Sequence, residues 1–583
     1  MLLHTPEVKP ARFLKLYRFC GRVAVPLTTN SIFLLLLLIV FRNADPMKIL
    51  LSFLFLFSAY LVVAQPAAKR SLKILFVPLD DRPPCLQFTE RMGMIGNADV
   101  IAPPKEMIGR FTTAGQSDQI IEWVKKQDLQ SFDAAIISLD MLVYGGLVAS
   151  RVHNVNTTVA LKRIEMMKDL RRKAPRLRIY AQSVIMRLAP TSDGKNETYR
   201  ADLAKWAEIS VNKDAGSRAE TSLLETKIPA DALAGYKTAR QRNLAVNLKA
   251  VDFVRSGVID YLILSQDDAK PVGIHVADRE KLVAETKRLK LQERVAVQPG
   301  ADEVSMLLLA RALNHFYRLS PSVKAVFSSD IAANSVMPFE DKPLKETVSY
   351  HIRATGSRQV EEEQDADLLF YIFASRNETG RAKTFAAEIE SKLRAGRRVM
   401  VADIDPVGNV QGGDSAFTVE LGNRGLLPEL NSYASWNTAA NTIGTTLPHG
   451  IVFHIATRKL LQDTTIASRI WTAQNWFTFH RVLDDYYFHG LQRSRINKYF
   501  DQDRVSSRTL DAQKNKEVEN YAMQLLTRSF AELTQMYERK LQGSRQQHVT
   551  CNQPSGFTFR LPWNRTFEAE IDFEMSCNSE PRF

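Results

Sequence analysis

The chain has 583 residues, 45% hydrophobic and 24% charged, with a formal net charge of +13. That composition describes a globular chain too long for one simple core, and ordinary domain sizes divide it into about two or three. The basic excess would point to nucleic acid if it were gathered into a stripe. It is instead spread through amphipathic segments such as "LKRIEMMKDLRRKAPRLR", which read as solvated helix faces, so no nucleic-acid partner is expected.

Two apolar stretches open the chain, Ser31 to Phe41 and Ile49 to Ala64. The first is shorter than the roughly 20 residues a bilayer requires. The second follows Met47 and Lys48 and precedes "QPAAKRS", the layout of a signal peptide over 47–65 within an N-terminal extension, 1–70. Translation starting at Met47 would give a secreted or extracellular protein. Starting at Met1, the same segment could stay uncleaved as an anchor, the only membrane association expected.

From residue 71 to 320, β-branched runs ("KILFVPL", "ADVIAPP", "DAAIISLD", "LRIYAQSVIM", "DYLILSQ", "RVAVQPG") alternate with segments of helical period. A second series occupies 321–463: "KAVFSSD", "ADLLFYIFA", "RRVMVADID", "NSYASWNTAANTIG" and "GIVFHIA". Alternation of this kind predicts an α/β fold of two domains, with mostly parallel sheets covered by helices. Residues 464–583 turn helical and end in a β-hairpin around "LPWNRT". Cys551 and Cys577 bracket that hairpin and should pair in an oxidising compartment. Sequons at Asn156, Asn196, Asn377 and Asn564 add little, because about three arise by chance in a chain this long.

The chemistry-bearing residues follow the strands. After the first come Asp80, Asp81 and Arg82; after "AAIIS" come Asp140, Tyr144, Gly145, Gly146 and Arg151; after "LILSQ" come Asp267 and Asp268; after "VAVQPGA" come Asp302 and Glu303. Asp330 and the group Asp403, Asp405 and Asp414 end two strands of the second series. In parallel α/β sheets these ends share one edge, where ligand crevices form. Each place also has a plain structural reading. Acids open helices, aspartates brace turns and Arg-Asp pairs pin loops. Trp436, Asn437, Asn441 and Thr442 suit stacking on and hydrogen bonding to a sugar, or equally a strand end before a helix cap. Arg240, Asn243 and Asn247 form a polar stripe on one helix, which reads equally well as a solvent-facing or a packed face, and Trp563, Arg565 and Glu568 lie in the final hairpin.

No G-x-S-x-G elbow, phosphate loop, G-x-G-x-x-G or H-E-x-x-H is present. Without a Cys/His cluster a structural zinc is not expected, whereas an all-carboxylate divalent-metal site stays open. Taken in order, "VPLDDRPPC", "SLDMLVYGGLVASR", "LSQDDAKPVG", "PGADEVSMLLLARALN", "SWNTAANTIGT" and "LPWNRTFE" make the chain resemble the family called domain of unknown function 4127, from about Ser71 to Asp572. The resemblance implies no assigned activity. The chain departs from the pattern at Cys85 and at "DIDPVGNVQGGDS", where a simpler Asn-Gly-Gly turn is expected.

The crevice residues best suit a secreted hydrolase of glycosidic bonds acting on a carbohydrate or other small polar substrate without a cofactor. Asp267 and Asp268 are the expected catalytic acid/base pair, mutual repulsion raising the pKa of one of them. Asp80, Asp81, Arg82, Asp140, Tyr144, Asp302, Glu303, Trp436 and Asn437 are expected to bind substrate, Trp436 by stacking. Two alternatives are metal-assisted hydrolysis of a phosphoester or amide by the same carboxylates, and a non-catalytic carbohydrate-binding surface protein.

Overall fold

The computed structural model describes residues 70–579 apart from 408–411, 501–509 and 542–548. The signal-like segment 47–65 and the rest of the N-terminal extension up to residue 69 lie outside the described residues. Leu72–Val77 (β1), Ala98–Ile101 (β2), Ala134–Ser138 (β3), Arg178–Ile185 (β4), Tyr261–Gln266 (β5) and Val295–Pro299 (β6) form a parallel sheet in the order β2-β1-β3-β4-β5-β6. Helices cover both faces, which is why its strands read as near-continuous apolar runs; only Lys73 of β1 is exposed.

Ser322–Phe327 (β7), Arg358–Gln359 (β8), Leu368–Phe373 (β9), Val399–Asp403 (β10) and Ser432–Ala434 (β11) form a second parallel sheet, ordered β11-β10-β9-β7-β8. The chain is therefore of the α/β class. Nine helices matter below: Gln87–Ile95 (α1), Leu139–Tyr144 (α2), Leu147–Ser150 (α3), Arg200–Ile209 (α4), Ala230–Arg255 (α5), Val304–Tyr317 (α6), Ala439–Lys459 (α7), Thr464–Arg481 (α8) and Ala512–Leu541 (α9). α6 packs on β3 and β4, α7 packs on β10 and β11, and the two helices pack on each other. One hydrophobic core thus runs through both sheets, although the chain passes from the first to the second near residue 320.

"GIVFHIA" is not a strand. It lies inside α7, whose residues from Ala439 to Ala456 are all buried. A helix buried on every side loses the polar face that would reveal its 3.6-residue period, and a short apolar run then looks like a core strand.

After α8 the chain continues as a π-helix, Val482–Gln492, a short helix and the amphipathic α9. Val549–Cys551 (β12) pairs antiparallel with Cys577–Ser579 (β15), and Ser555–Arg560 (β13) with Glu570–Glu574 (β14). Cys551 and Cys577 form a disulfide across the outer pair. The connection between β13 and β14 carries Trp563 back to the chain's first strand, where its indole N–H donates to Asp81 Oδ1 over 2.7 Å.

Candidate functional site

A cavity of about 250 Å³ opens at the C-terminal edge of the first sheet. Arg82 enters it from the turn after β1, Arg151 from the end of α3, Arg187 from the loop after β4 and Asp267 and Asp268 from the end of β5. Gly300, Ala301 and Asp302 come from the end of β6, Phe339 and Glu340 from the loop that follows the short helix Asp330–Asn334, Asn437, Thr438 and Asn441 from the start of α7. Trp563, Arg565 and Phe567 close it from the terminal hairpin.

Asp268, Phe339 and Asn437 all adopt positive φ, at 28°, 64° and 58°. Asp and Asn tolerate this region; a phenylalanine is held there against a steric cost. The Ala269 N–H, next to Asp268, donates to the Phe339 carbonyl at 2.8 Å and so ties the two strained loops together. Strain gathered around one cavity marks a place where the fold maintains an unfavourable backbone for a purpose.

The adjacent acids do not act on each other as expected. Arg151 donates to Asp267 Oδ2 from Nη2 at 2.6 Å and from Nε at 3.2 Å, whereas Asp268 pairs with Arg187. Each carboxylate has its own guanidinium partner, so mutual repulsion within the pair is not what divides their roles.

Burial lifts several acids at and around the site. Burial raises Glu340 to about 8, with Glu303 and Asp268 adding repulsion against one hydrogen bond from the Ala440 N–H. Its Oε2, like Oδ1 of Asn441, is buried without a hydrogen-bond partner among the described residues. Burial likewise lifts Asp302 to about 7, with Asp80 and Asp267 adding to it against the pull of Arg82.

Arg82 is the hub of the opposite wall. Its Nη2 reaches Asp80 Oδ2 and Asp302 Oδ1, both at 2.7 Å, and its Nη1 reaches Glu568 Oε1 at 3.3 Å. Arg565 pairs with Glu568 at 2.6 Å, and the two guanidiniums lie 4.3 and 4.9 Å from the Trp563 ring centroid. Asp80, Cys85 and Asp302 are the one group of three among the described residues whose ligand atoms lie close enough to share a metal. Arg82 already supplies the cation there, and Asp267 and Asp268 are likewise engaged by arginines, so the donor set does not fit a divalent ion.

Of the residues singled out from sequence, Arg82, Arg151, Asp267, Asp268, Asp302, Asn437, Asn441, Trp563 and Arg565 line the cavity. Asp80 stands behind Arg82, and Asp81 behind Trp563. Asp140 is buried under the edge, accepting the Val184 N–H at 2.8 Å, and burial lifts it to about 7. Tyr144 is buried beneath the guanidinium of Arg242, 4.2 Å from its ring centroid. Glu303 is wholly buried beside His351, 3.3 Å away; side chains in place of Gly300 and Gly444 would collide with it.

Trp436 is no stacking platform. It packs edge-on against Phe88 with its N–H on Thr445, because Asn437 at positive φ turns the chain and leaves the indole in the core. Trp563 provides the cavity's indole ring instead.

The acid-bearing strand ends also do not all meet. Asp330 is exposed at a helix start, and Asp403 accepts the Asp414 N–H and the Thr418 hydroxyl in the second sheet, away from the cavity lining. Sequence reasoning missed Arg187, Arg200 and Glu340. Arg187 had a usable signal, being the first charged residue after β4, but "LRIYAQSVIM" ends without an acid to draw notice to it. Glu340, in "MPFEDKP", had none.

No curated protein matches this chain. The family model described as protein of unknown function (DUF4127) matches residues 74–572, most of the chain, and the protein belongs to that family.

Proposed function

We propose that the protein is a secreted hydrolase acting on glycosidic bonds. The observation that carries this is the division of labour between two carboxyl groups facing one cavity. Glu340 holds its proton at neutral pH and has a free oxygen, and it serves as proton donor to the leaving group. Asp268, with a third of its side chain exposed and one oxygen against Arg187, serves as nucleophile or base on the other side of the bond. Asp267, locked by Arg151, orders the strand end, and Asn437 and Asn441 offer amides to substrate hydroxyls.

Secretion is supported by the Cys551–Cys577 disulfide, since such bonds persist in oxidising compartments. Among the described residues no helix is long and apolar enough to cross a membrane.

The test is turnover of a panel of aryl glycosides by the full chain. Glu340→Gln and Asp268→Asn should each lower kcat by about 10²- to 10⁴-fold while the fold persists. Unchanged turnover in Asp268→Asn removes it from the chemistry, and chelator-sensitive activity on a phosphoester in place of any glycoside overturns the reading.

A further inference from the structure

The wall of the cavity that carries Asp267 and Asp268 holds three guanidiniums, those of Arg151, Arg187 and Arg200. Two of them are matched, Arg151 by Asp267 and Arg187 by Asp268. Arg200 gives its Nε to the Pro190 carbonyl at 2.8 Å, and no carboxylate among the described residues forms an ion pair with it. Its charge is disfavoured first by burial and next by Arg187, and is favoured at longer range by Glu197 and Asp268. The wall therefore carries two guanidiniums held in ion pairs and a third, Arg200, held only by a backbone carbonyl. On the opposite wall both guanidiniums are in ion pairs, because Arg82 and Arg565 face Asp80, Asp302 and Glu568.

A large part of the fold is spent on fixing those guanidiniums. The polar stripe of α5 is buried, not solvated, and it grips the backbone beside two of them. Arg240 donates to the carbonyls of Met186 at 3.0 Å and Arg187 at 2.6 Å, while Asn247 reaches the Val184 carbonyl at 3.3 Å. Arg242 and Asn243 donate to the Ser150 carbonyl, adjacent to Arg151, at 2.6 and 2.9 Å. The loop leading to Arg200 is braced too: Asn196 donates to the Thr191 carbonyl at 2.7 Å, and Arg151 Nη1 to the Thr191 hydroxyl at 2.8 Å. Burying arginines and asparagines to hold loop carbonyls is worthwhile only where the loops must keep their shape, as in a preorganised binding site.

We propose that Arg151, Arg187 and Arg200 form a subsite for an oxyanion borne by the substrate. On the reading above, which this deepens, the saccharide is then an anionic one carrying a carboxylate, sulfate or phosphate. An oxyanion between Arg187 and Arg200 gives Arg200 an ion pair and takes the guanidinium donors that face the cavity.

The experiment is calorimetric titration of the full-length protein with glucuronate, inorganic sulfate and inorganic phosphate, with glucose as the neutral control, repeated on Arg200→Gln and Arg200→Lys. The expected result is binding of at least one anion and not of glucose, weakened tenfold or more in Arg200→Gln and partly retained in Arg200→Lys. A preference for glucuronate over the tetrahedral ions identifies a planar carboxylate as the ligand, and the reverse identifies sulfate or phosphate. Absence of anion binding to the wild-type protein, or equal binding by Arg200→Gln, overturns the subsite. Anion binding without hydrolysis of any glycoside supports the subsite and counts against the hydrolase; hydrolysis of neutral glycosides at wild-type rate by Arg200→Gln does the opposite.

Discussion

The indole N–H of Trp563 donates to Asp81 across 2.7 Å, joining residues 482 positions apart in the chain. Through this bond the last hairpin becomes part of the cavity built on the first sheet. Trp563→Phe keeps the ring between Arg82 and Arg565 but strands a buried acceptor, so it should lower unfolding stability by about 1–3 kcal/mol in denaturant titration. Trp563→Ala also removes the ring that lines the cavity and should cost more. Equal stability of Trp563→Phe and wild type would show that the bond does not fasten the hairpin.

Glu340, Asp302 and Asp140 bind protons in the folded protein at pH values where the unfolded chain has released them. Their folded pKa values lie at about 8, 7 and 7, against ordinary values of 4.5, 3.8 and 3.8. The stability each contributes is complete below its unfolded value and is lost as pH rises through its folded value, so their joint contribution falls from about pH 4 to pH 8; the buried histidines His275, His449 and His454, with lowered pKa values, act the other way up to their ordinary value of 6.5. Thermal unfolding between about pH 7 and pH 8, where the histidines no longer oppose the acids, should show a falling Tm. Glu340→Gln, which cannot ionise, should flatten the slope and be at least as stable as wild type at pH 8. A Tm that rises steadily over the same range would contradict this.

The same acid governs the expected activity profile. A general acid must carry its proton, so kcat on a glycoside should fall as pH rises through about 8. That alkaline limb should disappear in Glu340→Gln, leaving a low, flat rate.

Arg151 and Asp267 are both more than nine-tenths buried at the side chain. Removing either leaves a buried charge unpaired, so Arg151→Met and Asp267→Asn should each destabilise by about 3–5 kcal/mol, and the double variant by much less than their sum. Additive losses in urea unfolding would mean that the two groups are not coupled.

If the chain passes through a compartment that N-glycosylates, Asn156 and Asn377 should be the sites used. Both are exposed, whereas Asn196 and Asn564 spend their amide nitrogens on the carbonyls of Thr191 and Leu510, at 2.7 and 3.0 Å. The gel-mobility shift removed by glycosidase treatment should vanish in Asn156→Gln/Asn377→Gln. Survival of the full shift in that double variant would contradict the assignment.

Local patterns determined much of this molecule. Strand-helix alternation announced parallel sheets because strands buried on both faces must be apolar throughout, and "QDDAKPVG" marked one side of the cavity because a parallel sheet presents its loops at a single edge. The terminal hairpin and its cysteines were equally legible, since alternation and bracketing are properties of a few neighbouring residues. Helix α7 was misread at "GIVFHIA" because complete burial erases periodicity.

What each polar residue does was decided only when distant segments met. Asp267 and Asp268 are sequence neighbours, yet one belongs to Arg151 and the other to Arg187. Glu340 has no local mark of function; it becomes a retained acid because folding buries it and brings Glu303 and Asp268, from two other segments, close to it, which outweighs the hydrogen bond from the Ala440 N–H. The α5 stripe read equally well as solvent-facing until the carbonyls beside Arg151 and Arg187 proved to be its partners. Periodicity and strand ends are short-range and written in order along the chain, whereas protonation, charge balance and the choice between Trp436 and Trp563 depend on desolvation and on partners that only tertiary folding brings within reach.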